Sequence, residues 1–405
     1  MALAILADGW AREKRGRVVA LTVDHGLRPN STDEARQVGI WLRALGIDHH
    51  ILTWEANKPV TGIQAAARTA RHALLLEWCR QAGVVHLLMA HQRDDQIETL
   101  LLRIGRGSGV DGLAGMAPVV ERRHARILRP FLTVPRARLV ALLVAKRHPW
   151  VDDPSNQDLR YGRARLRNWL ARQPTEDLPA TGIAASARRL ARARRSLEML
   201  TNSHLAKWVM LHPAGFAHCE RALLSGPDEI VIRSLARVLF TVSGAAYAPR
   251  QESVERLLGS MRGGGAGWTL GGCQILVKPS GILVCREAAA IAQPVPLRVS
   301  ETVWDGRYCA QLGGFSSAGF RLGRLGETVG RELVSRCGHP ARTGIPARVR
   351  STLPAIFDDH GVFAVPHLGY IRGDAGLIRG DAGLAGSAVV FRPRAALSVV
   401  RRCLV

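Results

Sequence analysis

Lysine is scarce in this 405-residue chain, occurring only at Lys14, Lys58, Lys146, Lys207 and Lys278 although lysine and arginine together number 56. Arginine therefore carries the positive charge, and its rigid planar fork suits phosphate, a bias that GC-rich codons produce equally well. Acidic residues are also few, 33 in all, which leaves a formal net charge of +23. Such a field holds a polyanion and repels cationic partners, so nucleic acid is favoured over an acidic membrane surface. No apolar run approaches the roughly 18 residues of a membrane span, and the opening run Met1 to Ala7 is short and lacks a basic leader. A cytoplasmic protein is expected. The seven cysteines (Cys79, Cys219, Cys273, Cys285, Cys309, Cys337, Cys403) are odd in number and never form a Cys-x-x-Cys pair. That argues against a disulfide framework and a structural zinc site, and they read as small buried hydrophobes.

With 47% hydrophobic residues, the chain is long enough for two or three domains with separate cores. Arg17 to Asp24 is a β-branched run ending at a polar turn, as a buried parallel strand does. Ser31 with Glu34 predicts a capping box opening a helix through Ala35, Val38, Trp41, Leu42 and Leu45, and Gly46 stands where a left-handed residue ends it. His49 to Trp54 reads as the next strand. Thr61 with Gln64 predicts a second capping box, and Gly83 stops the helix that follows. Val84 to Ala90 is a third strand, with His91 at its carboxyl end and a helix over Asp94 to Ile104. Alternation of this kind implies an α/β fold: a parallel, Rossmann-like sheet with right-handed crossovers and helices on both faces. Its ligands bind beyond the carboxyl ends of the strands, where Asp24 and His91 both lie.

Residues 121–195 hold seventeen arginines and one lysine against six acids, a net +12. This is either a solvated face or the place where an RNA backbone lies. From Asp228 to Met261 two helical stretches follow, and Gly263-Gly264-Gly265 marks a junction. Trp268 to Arg286 alternates around Pro279-Ser280-Gly281, a hairpin signature, so the remainder reads as mainly β. Ile371 to Leu377 is repeated at once as Ile378 to Leu384, a tandem duplication suited to a surface loop. The expected domains are 1–170, a helical 171–263 and a smaller, mainly β 264–405.

Gly107 to Gly112 fits the dinucleotide fingerprint by letter but follows a helix instead of a strand, so the motif lacks its physical context. A flexible loop, serving as a lid, is the better reading. His91-Gln92-Arg93-Asp94-Asp95-Gln96-Ile97-Glu98-Thr99 sets a histidine at a strand end and carboxylates in the first turns of the next helix, with Asp95 and Glu98 on one face. Acids there also suit the helix dipole, and Asp94 can simply cap. Asp24 and His25 form the turn after the first strand, and Arg68 and Arg71 stand in Gln64-Ala-Ala-Ala-Arg-Thr-Ala-Arg71.

Together with Gly107 to Met116 and Asp153-Pro154-Ser155-Asn156, these motifs resemble the tRNA(Ile)-lysidine synthetase family of the PP-loop ATP-pyrophosphatase superfamily. The resemblance is strong over residues 1 to about 170. Beyond them it rests on phrases such as Val303-Trp-Asp-Gly-Arg-Tyr308 and Val365-Pro-His-Leu-Gly-Tyr370. It implies ATP and Mg2+ as cofactors, and adenylation of the 2-carbonyl oxygen of the wobble cytidine in tRNA(Ile) with a CAU anticodon. Free L-lysine then displaces AMP, and decoding changes from AUG to AUA. It further implies that His91, Asp94, Asp95 and Glu98 are the catalytic group, holding lysine, the proton or, at Asp95, magnesium. Arg68 and Arg71 would reach ATP phosphates or the adenylated base, Asp24 and His25 would lie beside the adenosine, Arg163 and Arg167 would meet RNA or phosphate, and Arg106 would meet RNA. A homodimer is compatible with this reading.

The family's Ser-Gly-Gly-x-Asp-Ser loop, whose amides grip pyrophosphate, would fall immediately before Met1, and in-frame upstream codons for it are expected. Two other readings remain open: a noncatalytic RNA-binding or degenerate copy without the ATP loop, and a PP-loop tRNA thiolase. The cytidine-thiolating branch of the latter uses paired cysteines that this chain lacks.

Overall fold

A computed structural model describes residues 1–122, 124–152, 158, 160, 162–172, 179–298, 301–311, 319–336, 344–372 and 388–398 of the protein. The expectations on Asp153 to Asn156 and on the tandem duplication up to Leu384 lie outside the described residues. The chain divides into two compact units, Met1–Ser196 and Leu197–Val399.

The first unit runs α1 (Ala2–Glu13), β1 (Val19–Asp24), α2 (Ser31–Ala44), β2 (Asp48–Thr53), α3 (Ile63–Gln81), β3 (His86–Leu88), α4 (Arg93–Ile104), α5 (Val110–Leu113), β4 (Val119–Glu121), β5 (Arg126–Leu128), α6 (Arg136–Ala145) and α7 (Gly162–Ala171). Helix α8 (Ala180–Trp208) crosses into the second unit. As the alternating pattern predicts, β1 and β2 pair in parallel, and so do β3 and β5, while β4 is antiparallel to β5. Helix α3 serves both groups of strands: its Leu75 and Cys79 pack with Leu87 and Ile127, and Leu21, Val23 and Leu52 close the same core. Full burial of a leucine or isoleucine there contributes about 1.5–3 kcal/mol.

Both expected capping boxes are absent. Ser31 is the first residue of α2 and its hydroxyl donates to Asp24 (2.8 Å), while Glu34 pairs with Arg28 (2.8 Å). A buried carboxylate has outcompeted the helix end for the serine. At α3 the residue before Ile63 is Gly62 in the left-handed region (φ 68°), so Thr61 stands one residue too far out to cap. The capping box that does form is Gln92 with Asp95 at the start of α4. Gly46 and Gly83 end their helices with positive φ (71° and 66°), as expected.

The segment read as a flexible lid also differs, because it contains α5 and is fastened to α4. The Gln96 side chain donates to Met116 O (2.8 Å) and accepts from Met116 N–H (2.7 Å), and Arg103 donates to Gly112 O.

The second unit is antiparallel. It contains β6 (Val209–His212), β7 (Phe216–Cys219), α9 (Asp228–Ser243), α10 (Gln251–Arg262), β8 (Gly267–Leu270), β9 (Cys273–Lys278) and β10 (Gly281–Arg286). These five strands form a sheet in the order β6-β7-β10-β9-β8. The expected hairpin closes with Lys278 opposite Gly281. The two helices share one core with the sheet, in which Leu235, Val238, Leu239, Val254 and Leu258 meet Ile275, Ile282 and Val284.

Next come β11 (Val295–Pro296), β12 (Thr302–Trp304), β13 (Tyr308–Gln311), β14 (Arg321–Arg324), α11 (Glu327–Arg336), α12 (Ala347–Arg350), β15 (Pro354–Asp358), β16 (Gly361–Val365), β17 (Tyr370–Ile371) and β18 (Ala388–Phe391). They make sheets ordered β11-β14-β15-β16-β17 and β12-β13-β18. Asp305 is buried between two arginines, Arg286 at 3.0 Å and Arg307 at 2.7 Å.

Candidate active site

The site is built where β1, β3 and β5 end. Asp24, the last residue of β1, is buried, and both of its oxygens are used within its own loop. Oδ1 accepts from Gly26 N–H and the Ser31 hydroxyl (2.8 Å each), and Oδ2 accepts from Thr32 (2.6 Å). Burial pushes this carboxyl up, but the three hydrogen bonds prevail and hold it below its ordinary value. Asp24 thus shapes the turn that carries His25. That imidazole receives Arg71 Nε and Nη2 at Nε2 (3.3 and 3.2 Å) and meets Trp54 edge-on. Burial, then Arg71, lowers its pKa.

His91 lies two residues past Met89, whose N–H extends the β3–β5 ladder to Leu128 O (2.8 Å). Its pKa falls to about 4, first through burial and then through Arg129, Arg68 and Arg163, so it is neutral near pH 7. The two adjacent aspartates of α4 diverge. Asp94 accepts the N–H of Arg136 (2.7 Å) and so caps α6, whereas Asp95 Oδ2 accepts the Gln92 N–H (2.9 Å) in the capping box and its other oxygen makes no hydrogen bond among the described residues. Glu98, one turn on, is 2% exposed. Its Oε1 pairs with Arg167 (2.7 Å), while Oε2 is buried without a partner among the described residues. Burial raises the Glu98 pKa against the opposing pull of Arg167. Arg163 reaches Thr99 (3.4 Å) from the same helix, so α7 lays both of its expected arginines on α4.

Around these groups the positive charges crowd one another. Arg68, Arg103 and Arg129 all have lowered pKa values, through burial first and then through neighbouring arginines. A guanidinium does not deprotonate, so the crowding marks a place for an anion. Arg106 stands on the exposed turn after α4. Among the described residues no cluster of three His, Cys, Asp or Glu side chains is arranged to hold a metal. Mg2+, which keeps several waters and binds through one or two carboxylates plus substrate phosphates, suits the open oxygen of Asp95 all the same.

The model of a PP-loop domain family matches residues 1–173. Over 244 residues the chain is 43% identical to a tRNA(Ile)-lysidine synthase of Rhodopseudomonas palustris, covering 59% of this chain and 70% of that one. A tRNA(Ile)-lysidine synthase of Ruegeria pomeroyi is 33% identical over 373 residues, 88% of this chain and 83% of that one. The chain belongs to the tRNA(Ile)-lysidine synthase family. Among solved structures it is similar to a U34-tRNA thiolase from Methanococcus maripaludis, with 15% identity and a TM-score of 0.40 over 47% of this chain and 68% of that one.

Within this lysidine synthase family member, His91, Asp95, Glu98, Arg68, Arg163 and Arg167 come together, and His25 with Arg71 lies at the neighbouring strand end. The motif reading missed Arg103, Arg129 and His72. Arg129 had a signal: it directly follows β5, and the residue after a parallel strand faces the ligand side. The others required knowing which helix faces turn inward.

Proposed function

We propose that this chain carries out ATP-dependent ligation of lysine to the 2-position of the wobble cytidine of tRNA(Ile) bearing a CAU anticodon, through an adenylated tRNA, yielding lysidine. A carbonyl oxygen is a poor leaving group until it carries AMP, which is why ATP is spent. The lysine Nζ forms a bond to C2, the C2–O bond breaks, and AMP departs with the oxygen. The amine must first lose a proton, and the observation that carries this reading is Glu98: a buried carboxylate with a raised pKa and one oxygen unpartnered among the described residues, on the helix that follows the neutral His91. In this reading Glu98, with His91, takes the proton, Asp95 holds a magnesium that neutralises phosphate charge, and Arg68 and Arg71 meet phosphate. Arg163 and Arg167 position the carboxylates and meet RNA, as Arg106 does from the rim. Among the described residues no helix is long and apolar enough to cross a membrane, and the tRNA substrate places the reaction in the cytoplasm.

The test is transfer of radiolabelled lysine to a CAU-anticodon tRNA(Ile) transcript in the presence of ATP. It is run on this chain and on one extended upstream with a Ser-Gly-Gly-x-Asp-Ser loop. Lysine-dependent label and AMP release are expected from the extended protein, with Glu98→Gln and Asp95→Asn each lowering the rate at least about a hundredfold, the scale of general acid–base catalysis. No label, or unchanged rates in both variants, would remove the assignment.

A further inference from the structure

Arg129 is 7% exposed, sits at the carboxyl end of β5 in register with Met89, and has no carboxylate partner among the described residues. One of its nitrogens, Nη1, donates to Ala117 O (2.8 Å), but Nε is buried and unsatisfied. Leaving a charged donor unmet in the interior is costly, and nothing in the packing of β4 and β5 demands an arginine, since Ile127 and Leu87 already fill the layer between strand and α3. The direction of the side chain is shown by its effects. Level with Met89, two residues before His91, it is the leading charge acting on His91, it acts on His72 of α3, and Arg68 in turn lowers its own pKa.

A buried guanidinium with a free donor, facing a histidine and further arginines, is a half-made anion contact, and its planar fork matches two phosphoryl oxygens. Its place at the carboxyl end of β5 is on the side of a parallel strand where ligands bind. We propose that Arg129 holds the phosphoryl group of the adenylate, first on the cytidine and then as departing AMP. This rests on the lysidine synthase reading for the identity of the adenylate, but its test does not need lysine transfer.

The chain is titrated calorimetrically with AMP and, separately, with inorganic pyrophosphate, using the wild type, Arg129→Met and Arg129→Lys, with thermal melts to establish that each variant is folded. Arg129→Met should weaken AMP at least tenfold. Arg129→Lys, which keeps the charge but loses the fork, should fall between the two, and it carries the test alone if the methionine variant does not fold. A wild type that binds no AMP, AMP affinity equal in variant and wild type, or a loss confined to pyrophosphate would each overturn the assignment. If AMP binding depends on Arg129 while no lysine transfer occurs, the contact stands and the proposed reaction falls.

Discussion

At the scale of single residues, burial and like charge do most of the chemistry. A histidine whose pKa drops from about 6.5 to about 4 binds a proton more readily in the unfolded chain. Folding is therefore favoured in full above about pH 6.5, and that contribution is lost as the pH falls toward 4, to an extent of about 3 kcal/mol. His91→Asn should flatten this part of the stability curve, seen as a smaller loss in urea midpoint between pH 6.5 and 4.5 than in the wild type. Identical slopes would show that the imidazole is freely solvated. Cys219 and Cys273, with thiols pushed up to about 12 by burial, and Cys285, up to about 11, are inert, in line with their reading as hydrophobes.

At the scale of elements, the ends of helices determine where charges point. Neighbouring aspartates acquire different tasks because α4 begins at Arg93, which turns Asp94 toward α6 and Asp95 back onto Gln92. Gly244, the left-handed residue that ends α9 (φ 65°), lies against the backbone of Asp305 and Gly306, where an added Cβ would collide with Asp305 O. Gly244→Ala should therefore lower unfolding stability by about 2 kcal/mol or more, combining strain at positive φ with displaced backbone, and a urea midpoint unchanged from the wild type would contradict this. On α8, Arg188, Arg192 and Arg195 are exposed and recur at helical spacing along one face. If this face meets tRNA phosphates, changing the three to glutamine should weaken tRNA binding without altering AMP affinity, and should reduce the slope of log K against log salt by about 2–3. A filter-binding series from about 50 to about 200 mM salt decides it.

At the scale of the whole molecule, a net charge of +23 makes association with any RNA fast and sensitive to salt. Selectivity for one anticodon must then come from contacts beyond charge. Binding of the CAU transcript and of an unrelated tRNA should converge at low salt and separate as salt rises, and parallel curves throughout would mean that this chain reads phosphate alone.

Much was legible in the one-dimensional pattern. β1, β2 and the helices α2, α3 and α4 lie where apolar spacing and turn glycines put them, and His91, Asp95 and Glu98 stood out because strand-end and first-turn positions are local properties. The two capping boxes failed because Ser31 had a buried competitor in Asp24 and Thr61 was displaced by Gly62. The burial of Asp24 is not a local fact, whereas the choice of Gly62 over its neighbour Thr61 is a matter of one residue at a helix end. Which aspartate caps α6, which arginine pairs with Glu98, and that the charge of buried Arg129 acts on His91 depend on residues 38 to 69 positions apart meeting at one edge of the strands. Periodicity and propensity act over one or two turns of chain, so they fix the kind and order of the elements. Charge, burial and hydrogen-bond competition act through space, so only the packed chain decides the pKa values and partners on which the chemistry depends.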